Sequence, residues 1–272
     1  MNAQQPRTDP LPPGLDEAIR GTAEDIAVLL RGAGDTGVAV PGLEWTLGET
    51  AAHLAQANLL MAELALGRTR AHGDGTPGGI AEANARALAE FDERAAEPLA
   101  ATIVATAAEL LDAVAAPTAP TTPLATPMGT MDLTTLGSYL LTHMLGHGYD
   151  IARAVGRPHM VDRRRADLCV PFMVEAMPRV VEPTTAHGLN ARYTVRLWGG
   201  SRFGVVFTDG VAEVAARPVS RPDCTISIEP VTFLLMALGR IDQRGALARG
   251  RVLAWGRKPW LAPRFPTLFT AP

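Results

Sequence analysis

The sequence predicts two domains, an all-α bundle followed by a small α+β domain. Three observations carry this. Apolar residues recur at helical spacing from about residue 14 to 156, and the pattern turns to strand-like alternation after about residue 188. The chain has 272 residues, 47% of them hydrophobic and 19% charged, which is enough apolar material to bury the cores of two modest domains.

Residues 1–13 are polar and proline-rich, and are expected to be disordered. In the first helix Leu15, Ala18, Ile19, Ile26, Leu29 and Leu30 repeat at spacings of three, four and seven, the signature of one buried face. A second helix begins near Thr46, where Thr46 and Glu49 read as a capping box, and runs through His53 to Leu66. Glycines and a proline mark residues 68–79 as a loop. A long helix is expected over 80–115, bent near Pro98, then a proline- and threonine-rich connector over 117–127. The last bundle helix spans about 133–155, closed by Gly156 and Pro158. Domain limits of 14–160 for the bundle, 161–188 for a helical connector and 189–272 for the α+β domain follow. In that last domain Tyr193, Val195 and Leu197, Val205 and Phe207, and 211–215 alternate between Gly199-Gly200 and Asp209-Gly210 turns, as in an antiparallel meander. A strand at Ile226 and Ile228, a helix opened by Pro230 and short elements over 249–272 complete it.

Composition excludes several classes. A net charge of -3 argues against a nucleic-acid partner, which needs a basic stripe. No apolar run reaches the roughly 18 residues of a membrane span, the stretch from Leu99 stopping at Glu109, so no membrane partner is expected. The polar amino-terminal segment does not read as a signal peptide. Cys169 and Cys224 are too few and too far apart for a disulfide framework or a cysteine-built metal site, and a cytoplasmic location is the default. Lys258 is the only lysine; arginine and alanine dominate, as in a GC-rich, actinobacterial coding sequence.

The histidines carry the chemistry. His143 and His147, four apart on the last bundle helix, project from one face about a turn apart, the spacing by which a helix offers two imidazoles to one ion. His53, on the second helix, is the candidate third ligand. The same pair is also compatible with a surface accident or a buried hydrogen-bonded pair. Glu49, one turn before His53, reads as a base or as the capping carboxylate. Asp150, three residues after His147, either orients an imidazole or pairs with Arg153. Tyr139 and Tyr149 face the pocket or the core. His72 and His187 are expected at the surface, and His159 is structural.

The run Trp45-Thr46-Leu47-Gly48-Glu49-Thr50-Ala51-Ala52-His53-Leu54 resembles the tryptophan-led, histidine-ended second helix of DinB-like metal proteins. The run from His143 through His147, Asp150 and Arg153 to Gly156 resembles their second metal motif. By pattern the chain is similar to the mycothiol-dependent maleylpyruvate isomerase family, in which a DinB-like four-helix bundle precedes a sterol-carrier-like α+β domain. Pro222-Asp223-Cys224-Thr225-Ile226, Leu238-Gly239-Arg240 and Arg249-Gly250-Arg251-Val252 resemble the sterol-carrier pattern.

The resemblance implies a divalent metal, zinc or a similar ion, on His53, His143 and His147, and mycothiol as thiol co-substrate. It makes Arg240, Glu49 and Asp150 the candidate catalytic residues, and Arg240 and Tyr149 the candidate cofactor contacts. Arg240 would hold an anionic group; its alternative is a charge neutralising a helix end. The isomerases carry glutamate where this chain has His143, and an all-histidine site is typical of DinB-like thiol transferases. The implied activity is therefore attack of a metal-activated thiolate on an electrophilic small molecule, ending in S-transfer or conjugation. The alternatives are cis–trans isomerisation of the maleylpyruvate type, or a non-catalytic carrier of lipid or small molecules.

Overall fold

A computed structural model describes residues 11–68, 72–74, 76–116 and 118–270, and the chain divides into two compact units between Met160 and Val161. In the first unit α1 (Leu15–Arg31), α2 (Leu47–Ala65), α4 (Ala96–Ala115) and α5 (Leu133–Ala154) form the bundle, while α3 (Pro77–Ala89) packs on α2. Both α1 and α2 pack against α4 and α5, so α1 lies diagonal to α2 and α2 is the neighbour of α5. Leu15, Ile19, Ile26 and Leu30 of α1, Leu54 of α2, Leu99, Ile103 and Leu110 of α4, and Leu136 and Leu140 of α5 are fully buried. Among the described residues α4 is the one helix long and apolar enough to cross a membrane, and its apolar face is spent on α1 and α2.

The expected long helix over 80–115 is two helices. Arg94 explains the break: its guanidinium donates to the carbonyls of Leu88 (3.0 Å), Glu93 (2.8 Å) and Phe91, satisfying acceptors that helical continuation would have used. Glu93 accepts from the Ala95 N–H at 2.7 Å, and Pro98 falls in the first turn of α4, where its missing N–H is not needed. Within the loop expected over 117–127, residues 124–126 are a strand. That strand, β1 (Leu124–Thr126), forms a hairpin with β2 (Gly129–Met131).

Residues 1–10 of the segment expected to be disordered lie outside the described residues. Residues 11–13 do not continue as free chain, because the Pro12 carbonyl accepts from the Leu15 N–H at 3.0 Å and starts α1.

The second unit begins at Val161, and the segment expected as a connector is built into it. It holds α6 (Arg163–Leu168), α7 (Val170–Ala176), a 3-10 turn (Met177–Val180) and α8 (Pro183–Ala186). A five-stranded sheet follows, from β3 (Ala191–Leu197), β4 (Arg202–Thr208), β5 (Val211–Ala215), β6 (Cys224–Ile228) and β7 (Val252–Trp255). Its other helices are α9 (Pro230–Ala237), α10 (Gln243–Ala248) and a 3-10 segment (Pro259–Leu268). The order is β5-β4-β3-β6-β7. The first three strands are the expected meander; Asp209 and Gly210, with φ of 48° and 85°, close its second hairpin. β6 then enters parallel to β3, with β7 antiparallel on its far side. Tyr193, Val195, Phe203, Val205, Phe207, Ile226 and Ile228 line the buried face, covered by Phe233 of α9 and by Phe265 and Leu268.

Candidate metal centre

The capping box sets the start of α2. Glu49 N–H donates to Thr46 Oγ1 at 3.2 Å, and the Glu49 carboxylate accepts from Thr46 N–H at 2.8 Å and Thr46 Oγ1 at 2.9 Å. The first turn is further tied by Leu47 N–H to the Val38 carbonyl and Gly48 N–H to the Thr36 carbonyl, each at 2.8 Å. This places Trp45 just outside the helix and His53 on the face that α2 turns to α5. On α5, Gly148 permits the close approach of α1: a Cβ there would lie 3.1 Å from Ile26 Cγ1 and 2.8 Å from Met160 Sδ. With Gly148 turned that way, helical geometry aims the neighbouring His143 and His147 elsewhere, toward α2.

The three histidines converge. Ring centroids are 5.0 Å apart for His53 and His143, 4.9 Å for His53 and His147, and 4.7 Å for His143 and His147. One nitrogen from each lies within 4.8 Å of the others, and His53 Nε2 stands 3.1 Å from His143 Nε2. Two imidazole nitrogens on one tetrahedral zinc at about 2.0–2.1 Å are about 3.3 Å apart, so the His53–His143 pair already stands at a metal-ligand spacing, with His147 close enough to join it. Burial pushes the His53 pKa well below the ordinary imidazole value, with repulsion from His147 and His72 adding to it. His53 is therefore neutral at pH 7 and has a lone pair to give.

Other groups complete the surroundings. The buried Asp150 carboxylate lies 3.3 Å from His147 Nδ1. Of the two partners expected for Asp150 it lies near His147, whereas Arg153 reaches the Pro41 carbonyl at 3.4 Å and the Tyr149 ring. The indole of Trp45 covers the cluster, its centroid 4.9 Å from His53 and 6.4 Å from His147. Tyr139 sits 6.4 Å from His143, and burial pushes its phenol up to about 12, so it stays protonated. Trp45 is a wall of the site that its motif alone did not single out; its place one residue before the cap was the available signal.

The remaining candidates fall elsewhere. Glu49 is engaged in the capping box, which, led by the Thr46 N–H, lowers its pKa and makes it a weaker base. Tyr149 is turned away from the histidine pair by about 200° of helix, packs on His159 at 5.1 Å and lies under Arg153, so it is not among the residues the fold gathers there. Arg240 belongs to the second unit, where its Nη1 donates to the Leu238 carbonyl at 2.6 Å, just past the end of α9. His72, expected at the surface, is half-buried and bonded to Asn84 Oδ1 at 2.7 Å, whereas His159 and His187 are exposed. Cys169 and Cys224 are both buried thiols outside any disulfide, and burial pushes the Cys224 thiol up.

A helical bundle with a three-histidine cluster, followed by an α+β unit, defines the class. Residues 180–256 match the SCP-2 sterol transfer family. The chain is similar in fold to a point mutant of the mycothiol-dependent maleylpyruvate isomerase, with a TM-score of 0.53 and 13% identity over 88% of this chain and 91% of that one. The unmutated isomerase matches at a TM-score of 0.49 with the same identity and coverage. The second sterol carrier protein domain of Helicoverpa armigera matches 31% of this chain and 69% of its own length, at 17% identity and a TM-score of 0.27. No curated protein matches the sequence. The architecture is that expected from the resemblance: a helical bundle followed by an α+β unit whose residues 180–256 match the SCP-2 sterol transfer family.

Proposed function

We propose that this protein is a metal-dependent enzyme that uses mycothiol as a thiol co-substrate against an electrophilic small molecule. The convergence of His53, His143 and His147, with nitrogens within 4.8 Å of one another, carries the reading. These three residues would hold a divalent ion, zinc or a similar metal. When bound, the metal supplies the charge that keeps a thiol deprotonated at neutral pH, where a free thiol with a pKa of about 8.5 is mostly protonated.

The chain's own residues do the rest. Asp150, 3.3 Å from His147 Nδ1, would draw the imidazole proton to that nitrogen and leave Nε2 as the donor atom. Trp45 excludes water from the His53 side, and Tyr139 stays protonated as a hydrogen-bond donor. Arg240, carried by the second unit, has a forked guanidinium suited to an anionic group. The buried Cys169 and Cys224 leave the nucleophilic sulfur to the co-substrate.

The outcome favoured is S-transfer or conjugation: the thiol gives up its S–H proton, sulfur bonds to an electrophilic carbon, and the adduct is kept. Either the leaving group departs from that carbon with the bonding electrons or, in an addition, the opened double bond takes up the proton at its other carbon. His143, in place of the glutamate of the isomerases, makes the donor set neutral and supports this over isomerisation. In the isomerase alternative the sulfur would be expelled after rotation about the attacked bond. The carrier reading draws on the SCP-2 match; against it, aromatic rings pack closely on the buried face of the sheet. Tyr193 packs on Phe265 at 4.9 Å, and Phe269 packs on Phe207 at 6.0 Å and Phe265 at 5.3 Å.

The test is metal content per chain by elemental mass spectrometry on untagged wild type and His147→Ala, followed by turnover of an electrophile panel with and without mycothiol. Near-stoichiometric metal that the variant loses, with thiol-dependent turnover, is expected. No metal after reconstitution with zinc or nickel, and no thiol dependence, would overturn the proposal in favour of a carrier.

A further inference from the structure

The outer face of the sheet in the second unit is not explained by that chemistry. Alternation along β3 sends Tyr193, Val195 and Leu197 inward and Arg196 outward. Arg196 stands directly opposite Arg202 on β4 and beside Ser227 on β6. These three, with Trp198 and Trp255, line a cleft of about 450 Å³, within the size range of small-molecule sites. Like charges paired across strands destabilise a sheet. Among the described residues neither guanidinium has a carboxylate partner, in a chain whose net charge is -3.

The cleft is also held in shape. The turn between β3 and β4 carries Trp198, and α6 fastens it from two sides. Asp167 Oδ1 accepts from Ser201 N–H at 2.8 Å, and Arg163 Nη2 donates to the Trp198 carbonyl at 2.6 Å. Gly200 leaves room for the Asp167 carboxylate, which a side chain at that position would displace. On the opposite wall the Arg196 guanidinium lies 6.0 Å from the Trp255 ring centroid, which orients it without neutralising it.

We propose that this cleft binds a small planar organic anion, its oxyanion held by Arg196 and Arg202 and its flat body against the indoles. Forked guanidinium groups suit carboxylate and phosphate oxygens alike, the Ser227 hydroxyl adds a donor, and indole faces favour a planar apolar body over an aliphatic one. Such a ligand supplies the negative charge that the arginine pair lacks. The proposal is independent of the metal centre.

Isothermal titration of the full chain with benzoate and phenyl phosphate tests it, with benzamide as the neutral isostere and acetate and inorganic phosphate as anions without a ring. Benzoate or phenyl phosphate is expected to bind at least about tenfold more tightly than all three controls, and whichever binds better identifies the carboxylate or phosphate class. Arg196→Gln and Arg202→Gln should each weaken binding by about tenfold, while circular dichroism and metal content stay at the wild-type level. His147→Ala should bind the anion as wild type does. Equal binding of benzamide, unweakened binding in both arginine variants, loss of binding in His147→Ala, or no binding at millimolar ligand would each overturn the proposal.

Discussion

Replacing Asp150 by asparagine removes a charge while keeping size and one acceptor oxygen, and it isolates what the carboxylate does for His147. In the folded chain the Asp150 side chain is 3% exposed and its Oδ2 lies 3.3 Å from His147 Nδ1. A carboxylate so placed stabilises the Nδ1–H tautomer and makes Nε2 a better donor. Removing such a partner typically costs ~10–100-fold in metal affinity. The separation exceeds the roughly 2.7–2.9 Å of a short charge-assisted bond, which puts the expectation at the lower end: about tenfold, or about 1.4 kcal/mol. The assay is competition with a chromophoric chelator for zinc or cobalt, on full-length wild type, Asp150→Asn and His147→Ala. His147→Ala should lose far more, because it removes a ligand rather than its support. An Asp150→Asn affinity within about twofold of wild type would refute the orienting role, since the tenfold figure corresponds to loss of one charge-assisted contact.

Other perturbations test the frame around the site. Thr46→Ala should cost about 1 kcal/mol in urea unfolding, and Glu49→Gln less; both should keep the metal, and metal loss from Glu49→Gln at unchanged stability would return Glu49 to the chemistry. Asp223 is held below the ordinary carboxylate range by the Arg257 guanidinium, with the Arg192 N–H and Lys258 adding and burial opposing. Its folded-state pKa lies below the unfolded one, so its contribution is full above about pH 4 and is lost as pH falls through the folded value. Asp223→Asn should therefore cost about 1–2 kcal/mol near neutrality, with exposed Arg257 contributing little, and progressively less in acid; a cost that grows on acidification would contradict this. Gly204→Ala should destabilise by about 1–3 kcal/mol in thermal melts, because its Cβ would meet the Arg217 carbonyl oxygen at 2.8 Å and Val219 Cγ1 at 2.6 Å.

Much of this protein is written locally. The 3.6-residue period of α1 and α5, the Thr46–Glu49 box and the period-2 alternation of β3 and β4 are properties of short windows, so the two-domain division and the His143–His147 pair were legible in the chain. The choice of His53 as the third histidine came from resemblance and from its apolar helix face. Only packing decided the rest. Whether Glu49 capped or catalysed, and whether Asp150 faced His147 or Arg153, depended on rotamers that neighbouring helices select. The break at 90–95 came from one guanidinium turning back onto three carbonyls, a contact no periodicity encodes. Strand alternation put Arg196 and Arg202 on the outer face, but their pairing across β3 and β4, beside Ser227 of a parallel β6, needed the register of the sheet. Local sequence determines which face a side chain takes; tertiary structure decides what it meets there, because contacts between distant segments depend on how whole elements dock.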